Sequence, residues 1–111
     1  MNTNMTNSKT MNYDSVLYLA MPLGLLEDVA DFLLCHPEWA SGFSIIDAQG
    51  MGQGAVLSSA IEKVQGRSKR KLIMVVGEMA LLKLLIASLG EKMKNSDIAY
   101  WIAPVTDFGR L

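Results

Sequence analysis

From Ser15 to Met21 the chain is apolar at both parities, with Val16, Tyr18 and Ala20 on one side and Leu17, Leu19 and Met21 on the other. This is the pattern of a strand covered on two faces. Pro22 and Gly24 turn the chain, after which Leu25, Val29, Phe32 and Leu33 recur at helical spacing with Glu27, Asp28 and Asp31 opposite. The spacing predicts an amphipathic helix that Pro37 ends. Phe43, Ile45 and Ile46 predict a second strand, running into glycines at 50, 52 and 54. Val56, Leu57, Ile61 and Val64 fit either an amphipathic turn or a loop with apolar spots. Lys71 to Val76 is a third strand, again apolar at both parities. A second helix is expected from Glu78, with Met79, Leu82, Leu85, Ile86 and Leu89 on its apolar surface and Gly90 at its end. Ile98 to Val105 is a fourth strand, and Pro104 marks loose pairing or an edge.

The order βαββαβ predicts an α+β, ferredoxin-like domain: a four-stranded antiparallel sheet with two helices on one face. Two helices cover only one face, yet the first, third and fourth strands are apolar on both. Apolar burial contributes roughly 25 cal/mol per Å², so an uncovered sheet face would forfeit many kcal/mol and invite aggregation. The expectation is a homo-oligomer packed sheet face to sheet face.

Composition sharpens this picture. Half of the 111 residues are hydrophobic and the formal net charge is −1, with a mean hydropathy of +0.25. The chain is apolar for its size and carries no global bias toward nucleic acid. Residues 1–13, rich in Asn, Thr and Met without periodicity, read as a disordered tail, and 14–111 as a single domain. The run from Val16 to Leu26 is broken by Pro22 and flanked by acids, unlike a signal peptide. Met79 to Leu89 is about half the length a bilayer requires. One cysteine, Cys35, forms no internal disulfide and agrees with a reducing compartment, so a cytoplasmic location without membrane insertion is expected.

Three groups of residues carry candidate chemistry. Gly50, Gly52 and Gly54 allow close approach of backbone to a phosphate, but equally suit a strand end with a bulge. Lys63, Arg67, Lys69, Arg70 and Lys71 place five of the ten cations within nine positions. They read either as a solvated loop that blunts a strand end or as a surface for an anionic ligand or acidic partner. RNA binding is disfavoured because Leu72 to Val76 lacks stacking aromatics. Cys35 and His36 are weak metal candidates, since adjacent side chains diverge and no second pair exists. A buried thiol and an exposed or capping histidine are expected there. Of the eight methionines three lie in the tail, and the others, scattered among apolar positions, read as core filling rather than as soft-metal ligands. Acylphosphatase shares the chain order, but its mechanism needs an arginine where this chain has Pro22-Leu23-Gly24. No base pairs with Cys35 or a serine as nucleophile, so no enzyme is expected.

Gly42-Phe-Ser-Ile-Ile-Asp-Ala-Gln-Gly-Met-Gly52 resembles the second strand and glycine-bearing loop entry of the P-II nitrogen regulatory proteins, and the order from Ser15 to Val105 is similar to theirs. Gly66-Arg-Ser-Lys-Arg70 and Tyr100-Trp-Ile-Ala-Pro-Val105 resemble a short P-II-like branch encoded beside heavy-metal efflux systems. The resemblance implies a homotrimer, ligands in clefts between subunits, and a loop after strand two that reaches a partner. It directs ligand contact to Gly50, Gly52 and Gln53; Gly54 and the cations Arg67, Lys69 and Arg70 complete the candidate ligand residues on the chain's own pattern. P-II proteins close their nucleotide cleft with a second glycine-rich loop ending in lysine. Here Met93-Lys-Asn-Ser-Asp97 has no glycine and ends in an acid, which argues against ATP. No cofactor is assigned. The expected function is a non-enzymatic P-II-like regulator or sensor, with a small anionic ligand and a membrane transporter or metal-efflux component as partner. The alternative is a trimeric divalent-metal-binding or metal-tolerance protein.

Overall fold

The structure, a computed structural model, describes residues 11–50 and 68–111. Strand β1 (Ser15–Pro22) leads through a 3₁₀ turn at Leu23–Leu25 into helix α1 (Leu26–Leu34). Strands β2 (Ser44–Gly50) and β3 (Ser68–Gly77) follow, then helix α2 (Met79–Lys92) and strand β4 (Ala99–Pro104). The sheet is antiparallel throughout, in the order β2-β3-β1-β4. The expected ferredoxin-like architecture is therefore present, with β1 and β3 central and Pro104 on an edge strand, where its missing N–H leaves no ladder bond unmade.

Alternation along β1 and β3 sorts the two faces. Leu17, Leu19 and Met21 of β1 and Ile73 and Val75 of β3 are fully or almost fully buried. They meet Val29, Phe32 and Leu33 of α1 and Leu82, Leu85 and Leu89 of α2 in one core. The opposite parity gives the face without helices. There Tyr18 lies between Met74 of β3 and Trp101 of β4, and Ala20 lies between Leu72 and Ala99. The Tyr18 and Trp101 rings stack at 5.2 Å, and Trp101 remains 47% exposed.

Three local expectations change. Helix α2 does not end at Gly90 but continues to Lys92, and Asn95 adopts the left-handed conformation (φ 59°) expected of a helix-ending glycine. Asparagine tolerates that region because its short polar side chain bonds locally. Strand β3 begins at Ser68, three residues before the expected start at Lys71, because the ladder to β2 holds its charged start in register. The Cys35 thiol is exposed, since it follows the last residue of α1 and escapes the helix's buried stripe.

The described chain begins inside the expected tail, where residues 11–13 already make contacts. The Tyr13 ring lies 4.7 Å from Phe108, and the Asn12 N–H donates to Glu78 Oε1. Asp14, where β1 begins and β3 and β4 end, then ties that end of the sheet to α2. Its Oδ1 accepts from the Met79 N–H at 3.1 Å and from Ser15 Oγ at 2.9 Å. Glu78, the residue before α2, provides no side-chain cap of its own.

Candidate functional site

The β2–β3 ladder places the basic residues individually. Gly50 faces Ser68, Gln49 faces Lys69, Ala48 faces Arg70, and Asp47 faces Lys71. Side chains alternate across a strand, so Lys69 and Lys71 leave one face and Arg70 the other. All three cations line a cleft of about 550 Å³ with Asp47, Ala48, Gln49 and Leu23. Lys71 Nζ donates to Asp47 Oδ1, and the Asp47 side chain is 86% exposed. Such an exposed cross-strand pair contributes little to stability but fixes the cation's position.

Arg70 is held differently. Only 11% of its side chain is exposed. Its Nη1 donates to Asp97 Oδ2 at 3.0 Å, and its Nη2 reaches the carbonyls of Ala20 at 3.4 Å and Asp97 at 3.5 Å. The guanidinium thus passes from β3 over the end of β1 to the segment entering β4. Charge-assisted bonds of this kind are about twice as strong as neutral ones.

Of the expected ligand residues, Gly50 ends β2, while Lys69 and Arg70 lie within β3 rather than in a loop. Gly52, Gln53, Gly54 and Arg67 lie outside the described residues. Sequence reasoning missed Asp47 and Gln49 and gave Asp97 no cationic partner. The signal for Asp47 was present in the opposite-charge pairing that the hairpin register implies. Asp97, 27 positions from Arg70, had no local signal, because only the strand order brings the two together.

The metal candidates sit at the other end of α1. The His36 ring lies between Phe32, at 4.5 Å, and Trp39, at 4.7 Å and nearly parallel. His36 Nδ1 is 3.0 Å from Glu38 Oε2. That hydrogen bond, aided by a backbone bond, holds the Glu38 carboxyl below its ordinary range. An ionised carboxylate only accepts, so Nδ1 carries the proton. His36 and Cys35 line a separate cleft of about 580 Å³ with Asp28, Asp31, Lys92 and Met93. Among the described residues, no three of His, Cys, Asp and Glu converge as metal ligands.

Comparison with known proteins places this geometry. Residues 11–111 match the model of a family described as "Protein of unknown function (DUF3240)". The chain belongs to the DUF3240 family. A DUF3240 protein of Shewanella baltica OS155 superposes with a TM-score of 0.70 at 23% identity, covering 91% of this chain and 99% of that one. CPII of Thiomonas intermedia K12, a nitrogen regulatory PII-like protein bound to ADP, AMP and bicarbonate, gives 0.66 at 14% identity over 92% and 99%. CutA1 of Pyrococcus horikoshii OT3 gives 0.64 at 14% over 86% of each chain. No curated protein matches. These likenesses establish the fold as the one shared with P-II-like proteins and CutA1, as the sequence resemblance implied. Among the described residues, no helix is long and apolar enough to cross a membrane.

Proposed function

We propose that this DUF3240 protein is a non-enzymatic, cytoplasmic P-II-like regulator or sensor. It works as a homotrimer closed through the helix-free sheet face, takes a small anionic ligand beside the β2–β3 hairpin, and passes that state to a protein partner. A membrane transporter or metal-efflux component is the partner class. The observation that carries the reading is the cleft lined by Lys69, Arg70 and Lys71, with Asp47 as the carboxylate among its lining residues. Such a cluster attracts anions, and three copies in an assembly add their fields. The structural likeness to CPII, whose ligands are ADP, AMP and bicarbonate, supports the ligand class. The apolar rows around Tyr18 and Trp101 support assembly through that face.

The rival reading, a trimeric divalent-metal-binding or metal-tolerance protein, draws on Cys35, His36 and Met93 lining one cleft. Calorimetry separates the two. The purified protein is titrated with adenine nucleotides, bicarbonate and Cu, Zn, Ni or Co ions, and native mass spectrometry counts subunits. The proposal expects an anion whose binding falls at least tenfold on Lys69→Ala with Arg70→Ala. Metal binding that needs His36, with no anion bound, would replace it by the rival.

A further inference from the structure

We infer that the cleft formed by α1 with the end of α2 is a binding site for a small zwitterion, an α-amino acid or short peptide with an apolar side chain. It shares no lining residue with the cleft at the β2–β3 hairpin. It is thus a second site, and it does not rest on the anionic-ligand reading.

At about 580 Å³ the cleft has the ordinary size of a small-molecule site. Its contributors differ in sign. Asp28 and Asp31 come from α1, while Lys92 and Lys94 come from the end of α2 and the connection to β4. The two aspartates are i,i+3 neighbours on a helix that holds no Lys or Arg, an arrangement that like-charge repulsion makes slightly unfavourable. Among the described residues, neither these carboxylates nor the Lys92 ammonium has an ion pair, and Lys94 has only a 3.3 Å contact with Glu91. Acid and base therefore line one cleft without closing on each other. Leu25, Phe32 and Met93 add an apolar surface to the same cleft, with Phe32 only 7% exposed.

That combination selects the ligand's chemistry. A simple cation or anion answers one pair of charges and is repelled by the other, whereas a zwitterion answers both. Its ammonium relieves the repulsion between Asp28 and Asp31, and its carboxylate takes Lys92 and Lys94. The exposed Glu91 contact is a weak competitor for Lys94. All four charged residues are exposed, so each such contact contributes little by itself. Burial of an apolar side chain against Leu25, Phe32 and Met93 supplies the remainder, which sets an apolar amino acid or peptide apart from glycine.

The test follows amide NMR signals of the full chain at low ionic strength, with EDTA present so that binding through a metal ion at Cys35 and His36 does not register. L-leucine and L-leucyl-L-leucine are the probes, which distinguish a free amino acid from a peptide. Glycine, isocaproate and isoamylamine lack the side chain, the amine and the carboxylate in turn. At least one of the two leucine probes should saturably shift the signals of Asp28, Asp31 and Lys92 to Ser96. Each trimmed probe should bind at least about tenfold more weakly. Asp28→Asn with Asp31→Asn, and separately Lys92→Gln with Lys94→Gln, should weaken the zwitterion about fivefold or more. Lys83→Gln, which removes an exposed α2 charge outside the cleft, should leave it unchanged. Circular dichroism confirms that each variant is folded, and the probe series needs no variant. Isoamylamine or isocaproate binding as tightly as L-leucine reduces the cleft to a patch of one charge and overturns the inference. So does the absence of any shift there with both leucine probes.

Discussion

Replacing Trp101 by alanine tests the assembly on which the regulatory reading depends. The ring lies on the helix-free face, stacked against Tyr18, and keeps 47% of its surface in contact with solvent. A tryptophan presents up to about 250 Å², so roughly 120 Å² remains to be covered by another subunit. At about 25 cal/mol per Å², complete cover contributes about 3 kcal/mol for each subunit. The stack on Tyr18 adds about 0.5–1.5 kcal/mol, but it forms within one chain and supports folding rather than association. Trp101→Ala should therefore weaken association by about two orders of magnitude for each subunit that loses its ring.

Sedimentation velocity over a micromolar dilution series reads this directly. The unsubstituted protein should sediment as a trimer, and the variant should dissociate within the same series while keeping its far-UV circular dichroism. Leu84→Ala supplies the control, because Leu84 is 52% exposed but sits on α2. It should leave the sedimentation profile unchanged. A monomeric unsubstituted protein at micromolar concentration would refute the reasoning, as would a Trp101→Ala trimer of undiminished stability.

Asp14→Ala removes the acceptor that caps α2 from outside the helix. It should cost about 1–2 kcal/mol from the lost cap and the lost charge at the helix N-terminus; urea denaturation measures it, and Asp14→Asn should recover part. Gly90→Ala should stabilise by about 0.5–1 kcal/mol, because Gly90 lies within α2 and a Cβ there meets nothing within 4 Å. A thermal melt should show a rise of a few degrees. The Glu38 carboxyl, held down chiefly by its hydrogen bond to His36, should titrate below the ordinary glutamate range in a ¹³C NMR pH series, and His36→Ala should move it up. Since the folded-state value is the lower one, the contact's stabilisation is present above the ordinary range and lost as pH falls through the depressed value.

What could be read in advance follows from how far each signal travels along the chain. The strands read at Ser15 to Met21 and Lys71 to Val76 were legible because period-two alternation is local, and apolar residues occupy both parities over Val16 to Met21 and Leu72 to Val76. The first three residues of β3 were not legible, since Ser68, Lys69 and Arg70 carry no apolar signal and are held by pairing with Gly50, Gln49 and Ala48. Gly90 misled because glycine is common both as a helix terminator and, less often, as an exposed interior residue. The helix instead ends at Lys92, and the left-handed residue is Asn95 in the turn beyond it.

The candidate site marks the limit of such reading. Its cations were visible as a cluster, but their chemistry depends on which carboxylate each one meets. Lys71 takes Asp47 across one ladder, a partner that hairpin register predicts. Arg70 takes Asp97 across β1, a partner that exists only once the strand order β2-β3-β1-β4 is known. The acid that argued against nucleotide when read as a loop ending becomes, in the folded chain, the group already occupying the arginine.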